Sequence, residues 1–243
     1  MDKAIFLAFY KGEPMEPHAS EAFDNIKSAL IECGIYTPLT LLGALATSRV
    51  EVGRNFLPIA EYASGLLYEY RKDLGNIYSG DGSLFKGRGY IQLTGRNNYR
   101  YYGELLGIDL IQSPDLALNP KIASKILALY FKERKVNVAC DSEDWVTVRK
   151  LVNGGVNGLE SFLRIVEDYK RALIINKKMD STIKFVNFYG SDHTRVTYFT
   201  DTKTLQNDGE THDFMSGEEA LEKSTSESFV FWDNVPMGVG KLQ

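Results

Sequence analysis

From Gly53 to Gly89 no apolar periodicity survives, because glycines, Pro58 and Asn76 interrupt every run, while on both sides apolar residues recur at helical spacing. Such a chain has to fold as helices flanking a long, turn-rich middle. Upstream, Phe23, Ile26, Leu30 and Ile31 predict an amphipathic helix over about residues 20–33. Thr37-Pro38 then supplies an N-cap and a proline at the first helical position. The helix it starts carries Leu39, Leu42, Leu45 and Ala46 as its stripe and runs to about Val50. The middle is expected to be loops with a short hairpin near Tyr78 to Tyr90.

Downstream, a helix from Asn98 to about Leu106 places Tyr99, Tyr102 and Leu106 on one face. Asn119-Pro120 starts another through about Glu133, with Ile122, Ile126, Leu129 and Tyr130 inward. Trp145 to Val152 is read as a short helix ended by Asn153-Gly154-Gly155, where glycine suits a left-handed C-cap. Leu159, Phe162, Leu163, Val166, Tyr169 and Leu173 mark a long amphipathic helix. After Asn176 the pattern turns β-like at Ile183–Tyr189, Arg195–Thr200 and Ser228–Trp232. The expectation is a mainly α chain in two parts. Residues 1–175, with the N-terminal helix region 1–36 included, form one domain, and 176–243 form a small β-containing extension without a chemical motif.

Residues 85–99, Phe-Lys-Gly-Arg-Gly-Tyr-Ile-Gln-Leu-Thr-Gly-Arg-Asn-Asn-Tyr, gather glycine turns, amides, a hydroxyl and aromatics. Gly87 and Gly89 permit close backbone approach or positive φ, and Gln92, Thr94, Asn97 and Asn98 offer the hydrogen bonds a polyhydroxylated ligand requires. On glycine spacing alone, a tight turn ahead of a helix explains the stretch better. No phosphate-loop pattern is matched.

Taken in order, Arg71-Lys-Asp-Leu-Gly-Asn76, Gly80-Asp-Gly82, the Gly87-Arg-Gly89 run to Tyr99, Asn119-Pro120 and Val152-Asn-Gly-Gly155 closely resemble the signature of glycoside hydrolase family 19. That group comprises plant-type chitinases and related phage endolysins, and the likeness covers about Thr37 to Ala172. It implies a lysozyme-like α+β catalytic domain that cleaves β-1,4 bonds between N-acetylated aminosugars with inversion, using no cofactor and no metal. Inversion needs a protonated carboxyl at the leaving oxygen and a carboxylate that activates water on the opposite face.

Glu51, in Thr47-Ser-Arg-Val-Glu-Val-Gly53, falls where the family places its acid, although Val50 and Val52 replace the family's His and Thr/Ser neighbours. The negative end of a helix dipole and two flanking valines would both favour the neutral acid. A surface glutamate at a frayed helix end is the structural alternative. For the base the resemblance offers Glu61 or Glu69, either of which an arginine such as Arg71 or Arg88 could instead tie into the loop. Thr94 matches the water-holding hydroxyl, Gln92, Asn98 and Asn153 match sugar contacts, and Arg164 matches an arginine projecting from the last helix toward the acid. Thr94 and Asn98 could equally cap a helix, and Asn153 could simply end one. Eight of the 14 tyrosines lie between Tyr62 and Tyr102. Tyr62, Tyr68, Tyr70 and Tyr90 are the candidates for stacking on sugar rings, whereas Tyr99 and Tyr102 are expected in the core.

Charge bears on the substrate. Between Arg71 and Arg100 six basic residues face two acidic ones, which would favour a polyanion. Together with the phage-type versions of the motifs, this points to peptidoglycan over chitin. A chitinase, a lytic transglycosylase, and a non-catalytic wall-binding or virion protein retaining the fold stand as alternatives. No nucleic acid partner and no membrane insertion are expected. The N-terminal apolar run is too short for an export signal. A cytoplasmic product is therefore expected to reach the wall through a delivery partner such as a holin, a secretion system or a virion, and to act as a monomer. Cys33 and Cys140 read as buried thiols, and three scattered histidines make no zinc site.

Overall fold

A computed structural model describes residues 2–179, 185–189, 195–199, 204–207 and 230–232. The chain forms two compact units, one of Pro14–Val166 and one of Met1–Glu13 with Glu167–Gln243.

Within Pro14–Val166 the helices are α2 (Glu16–Glu32), α3 (Pro38–Val52), α4 (Asp81–Leu84), α5 (Arg96–Leu106), α6 (Pro120–Glu133), α7 (Val136–Asp141) and α8 (Trp145–Asn153), joined by the first turns of α9 (Leu159–Met179). Helix α2 begins a turn earlier than its apolar spacing suggests because Pro17 occupies its first turn. Helix α3 starts as expected, with the Thr37 hydroxyl accepting from the Thr40 amide at 2.9 Å. It is buried all round from Thr40 to Ser48 rather than along one stripe. Its small residues let neighbours close in: a Cβ on Gly43 would lie 2.4 Å from Cys140 Sγ of α7. Helix α2 packs on α3 and α6, and α3 also meets α7 and α8. Asn119 caps α6 by accepting from the Lys121 and Ile122 amides. Gly154 closes α8 at φ 71°, in the left-handed conformation its position demands.

The turn-rich middle differs from expectation. No hairpin spans Tyr78–Tyr90, where Asp81–Leu84 is helical. Instead β1 (Ile59–Ala60) pairs antiparallel with β2 (Arg88–Gly89), and Arg88 and Leu93 exchange backbone hydrogen bonds around a tight loop. Buried side chains replace regular structure as the loop skeleton. The Arg96 guanidinium grips both oxygens of Asp81 at 2.5 and 2.9 Å, Asn76 bridges Tyr68 O to the Arg96 amide, and Arg88 binds Asp115, Leu84 O and the Tyr99 hydroxyl. Phe85, Leu93, Tyr99, Tyr102, Leu110 and Ile126 form a core beneath this loop and α5.

In the other unit, Asp2 caps α1 (Lys3–Ala8), and Tyr169 packs edge-on to Phe6, its hydroxyl 2.5 Å from that of Tyr10. Strands β3 (Phe185–Tyr189), β4 (Arg195–Phe199), β5 (Thr204–Asn207) and β6 (Val230–Trp232) form one sheet in the order β5-β4-β3-β6, parallel only between β3 and β6. Ile183, Thr200, Ser228, His193 and His212 lie outside the described residues. Cys33 and Cys140 are both free thiols, Cys140 buried and Cys33 half-buried.

Candidate active site

Glu51 sits in the last turn of α3, which Gly53 ends at φ 76°. Its setting is not the apolar one its valine neighbours suggest. Arg149 Nη1, from α8, lies 2.5 Å from Glu51 Oε1, while Arg149 Nε donates to Asn157 O at 2.7 Å. The same Asn157 carbonyl accepts from Asn153 Nδ2 at 3.2 Å, so Glu51, Arg149 and Asn153 share one hydrogen-bonded cluster. The Arg149 side chain is 6% exposed and that of Glu51 19%, which leaves the carboxyl reachable from solvent.

Arg164 does not join this cluster. It is exposed and pairs with Glu160 on its own helix at 3.2 Å. The arginine facing Glu51 is Arg149, four residues before Asn153 and therefore on the same face of α8. A charged residue at that spacing from the Asn-Gly-Gly turn was the available signal.

Tyr130 of α6 lies between α8 and the Phe85–Tyr99 stretch. Its hydroxyl donates to Leu151 O at 3.0 Å, and burial pushes that hydroxyl above its usual pKa, the charge of Glu51 adding to the effect while Arg134 opposes it. Its ring borders a cavity of about 190 Å³ shared with Gln92, Thr94, Asn98, Tyr102 and Arg134. Gln92 holds a left-handed backbone (φ 51°), a strain that non-glycine residues keep only where the surroundings enforce it. Here its Nε2 donates to both Ile59 O and Gly89 O. Gly87 is needed for this arrangement, since a Cβ there would stand 2.8 Å from Gln92 Oε1. Gly89 takes φ 80°. The Thr94 hydroxyl donates to Gln92 O at 2.8 Å and retains lone pairs for a water. Neither Thr94 nor Asn98 caps α5, whose N-cap is Gly95; Asn98 Nδ2 instead donates to Thr94 O at 2.7 Å.

The two candidate bases differ in how they are held. Glu69 is held at both oxygens by backbone amides, accepting from Gly80 N at 2.6 Å and Gly82 N at 2.8 Å. Glu61, directly after β1, makes only longer contacts, from the Tyr68 hydroxyl at 3.1 Å and Gly87 N at 3.3 Å. Gly87 also lies against Gln92, so Glu61 borders the same wall. Neither carboxylate is paired with Arg71 or Arg88, which bind Asp73 and Asp115. Of the tyrosines, Tyr62 and Tyr70 are exposed, but Tyr90 is 1% exposed and its hydroxyl is spent on Phe56 O, so it presents no face to a sugar.

No protein-family profile matches the chain. In sequence it is 34% identical over 115 residues to a glycosyl hydrolase family 19 domain-containing protein of Haemophilus influenzae, covering 47% of this chain and 54% of that protein. It is also 46% identical over 50 residues to an acidic 27 kDa endochitinase of Solanum lycopersicum, covering 21% of this chain and 20% of that protein. The chain thus spans about half of the first of these relatives and a fifth of the second. In structure it is similar to chitinase C of Streptomyces griseus, with a TM-score of 0.53 and 19% identity over 71% of this chain and 76% of that one. A bacterial family 19 chitinase aligns with a TM-score of 0.51 and 18% identity over 71% of this chain and 94% of its own. The chain is related in sequence to family 19 proteins and has the lysozyme-like fold of their chitinases.

Proposed function

We propose that this relative of the family 19 glycosidases is an endo-acting glycoside hydrolase cleaving β-1,4 bonds between N-acetylated aminosugars, with peptidoglycan as its polymer. The observation that carries the reading is the continuity of the site. Glu51, Arg149 and Asn153 form one hydrogen-bonded cluster at α8, and Tyr130, whose hydroxyl donates to Leu151 O and Val152 O of that same helix, borders the cavity of Gln92, Thr94 and Asn98.

In this reading Glu51 donates a proton to the glycosidic oxygen as the bond to the anomeric carbon breaks. Thr94 holds a water on the other face, Glu61 takes that water's proton, and the new hydroxyl carries inverted configuration. Arg149 occupies Oε1 of Glu51 and fixes the carboxyl's orientation, leaving Oε2 as the oxygen to carry the transferred proton. Glu69 is the less available of the two carboxylates because both its oxygens are already engaged by amides.

Product analysis tests the whole reading. The wild-type chain should release reducing-end fragments from purified peptidoglycan with inverted anomers, and Glu51→Gln should lower the rate by about 10²–10⁴, the usual contribution of a general acid. Release from colloidal chitin alone selects the chitinase alternative. Anhydro-sugar ends select transglycosylase chemistry, and equal rates for wild type and Glu51→Gln would rule out Glu51 as the acid.

A further inference from the structure

The basic excess counted along residues 71–100 is not the charge that faces the cavity. Arg71, Arg88 and Arg96 are neutralised by Asp73, Asp115 and Asp81, and Lys86 turns to Ala63 O. The cation at the cavity rim is Arg134, which follows α6 and lies outside that segment.

Arg134 is exposed, and its guanidinium carbon stands 4.6 Å from the centroid of the Tyr130 ring. That ring is itself anchored, with its hydroxyl donating to Leu151 O and Val152 O at 3.0 and 3.3 Å, so the guanidinium rests on a fixed platform. Its sequence neighbour Glu133 is engaged elsewhere, accepting from the Tyr101 and Tyr102 hydroxyls at 2.5 and 3.0 Å. Among the described residues no ion pair holds Arg134, although its planar fork is built to bind a carboxylate with two parallel hydrogen bonds.

A cation with no carboxylate partner among the described residues, stacked in place at a cavity bordered by Gln92, Thr94 and Asn98, is a poor match to a neutral sugar polymer and a good one to a sugar polymer bearing carboxylates. We infer that Arg134 is a specificity-determining residue that binds a carboxylate carried by the aminosugar polymer. In peptidoglycan that group is a stem-peptide carboxylate or the lactyl carboxylate of a muramic acid without its peptide; chitin has neither. This rests on the proposed function, because it takes the Gln92–Thr94 cavity as a sugar subsite.

The test compares wild type, Arg134→Lys and Arg134→Gln on intact peptidoglycan, on amidase-stripped glycan strands and on N-acetylchitohexaose. For Arg134→Gln, the ratio of kcat/KM on peptidoglycan to that on chitohexaose should fall by about tenfold or more, through KM, as expected for one lost charge-assisted interaction. Arg134→Lys should recover part of it. A loss on intact peptidoglycan that disappears on stripped strands assigns the stem peptide, and a loss found on stripped strands, where amidase has freed the lactyl carboxylates, assigns the lactyl group. An unchanged ratio, whether both substrates suffer equally or neither does, overturns the inference.

A binding measurement separates this from failure of the proposed function. In Glu51→Gln protein, N-acetylmuramic acid or an N-acetylmuramyl peptide with a free carboxylate should bind several-fold tighter than N-acetylglucosamine by NMR titration, and the difference should vanish when Arg134→Gln is added. Inactive wild type with that preference intact would sink the hydrolase and keep the carboxylate site. Equal binding of N-acetylglucosamine, N-acetylmuramic acid and the muramyl peptide would sink the site.

Discussion

Arg149 Nη1 lies 2.5 Å from Glu51 Oε1, joining α8 to the last turn of α3 across 98 positions of sequence. With side chains 6% and 19% exposed, the pair is largely out of water, where stranding one charge costs more than the intact pair contributes. Arg149→Ala should therefore lower the free energy of unfolding by about 3 kcal/mol, toward the low end for buried pairs because Glu51 keeps some solvent. Arg149→Lys should fall between, since it restores the charge but not the second donor to Asn157 O. Urea denaturation measures both, and an unchanged midpoint in Arg149→Ala would mean the pair is effectively screened.

Glu61 and Glu69 should respond in opposite ways to the same change. Glu61→Gln gives up at most one of two long contacts, so it should fold with nearly wild-type stability and lose turnover by about 10²-fold or more. Glu69→Gln aims an amide NH₂ at the amide of Gly80 or Gly82, which leaves a donor unsatisfied and should cost about 1–3 kcal/mol of stability. Parallel thermal melts and single-substrate kinetics on the two variants decide which carboxylate activates the water. Turnover lost only in Glu69→Gln would reverse the assignment.

Much of the fold was legible because it is local. Thr37-Pro38, Asn119-Pro120 and Gly154 act within one turn of themselves, and each placed a helix end where the structure has it. The loop from Gly53 to Gly89 was not legible, since Asp81, Asn76 and Arg88 hold it through partners 15 to 27 residues away that no short-range pattern reports. The site divides along the same line. Gln92 and Thr94 come from one continuous motif and do meet in one cavity. Arg149, by contrast, reaches Glu51 only because α3 and α8 pack together, and motif matching put Arg164 in its place. Tyr90 lies in a loop by sequence and in the core by packing.

The Thr94 hydroxyl can be removed without removing its volume. Thr94→Val deletes the group that would hold the attacking water while filling the same space, whereas Thr94→Ser retains it. Thr94→Val should lower kcat by about tenfold or more with KM little altered, because a water contact acts mainly in the transition state. Thr94→Ser should stay within a few-fold of wild type. A rise in KM with kcat unchanged would recast Thr94 as a sugar contact.

Acid should weaken the loop that carries this wall, and the responsible group can be named. Hydrogen bonds from Arg96, joined by the Ile77 and Tyr78 amides, hold the Asp81 carboxyl below the usual carboxylate range despite its burial. A depressed folded-state pKa contributes stability in full above the unfolded value of about 3.9 and loses it as pH falls from there through the folded value. At pH 7, Asp81→Asn should be less stable than wild type by about 2–3 kcal/mol, as the bidentate pair with Arg96 is broken with Asp81 only 2% exposed. The difference should hold down to about pH 5 and narrow below pH 4, as wild type protonates the carboxyl that the variant never had. Urea midpoints of both proteins at pH 7, 5, 4 and 3 measure it. A gap that stayed constant to pH 3 would mean that Asp81 remains ionised there, or that its charge contributes little to folding.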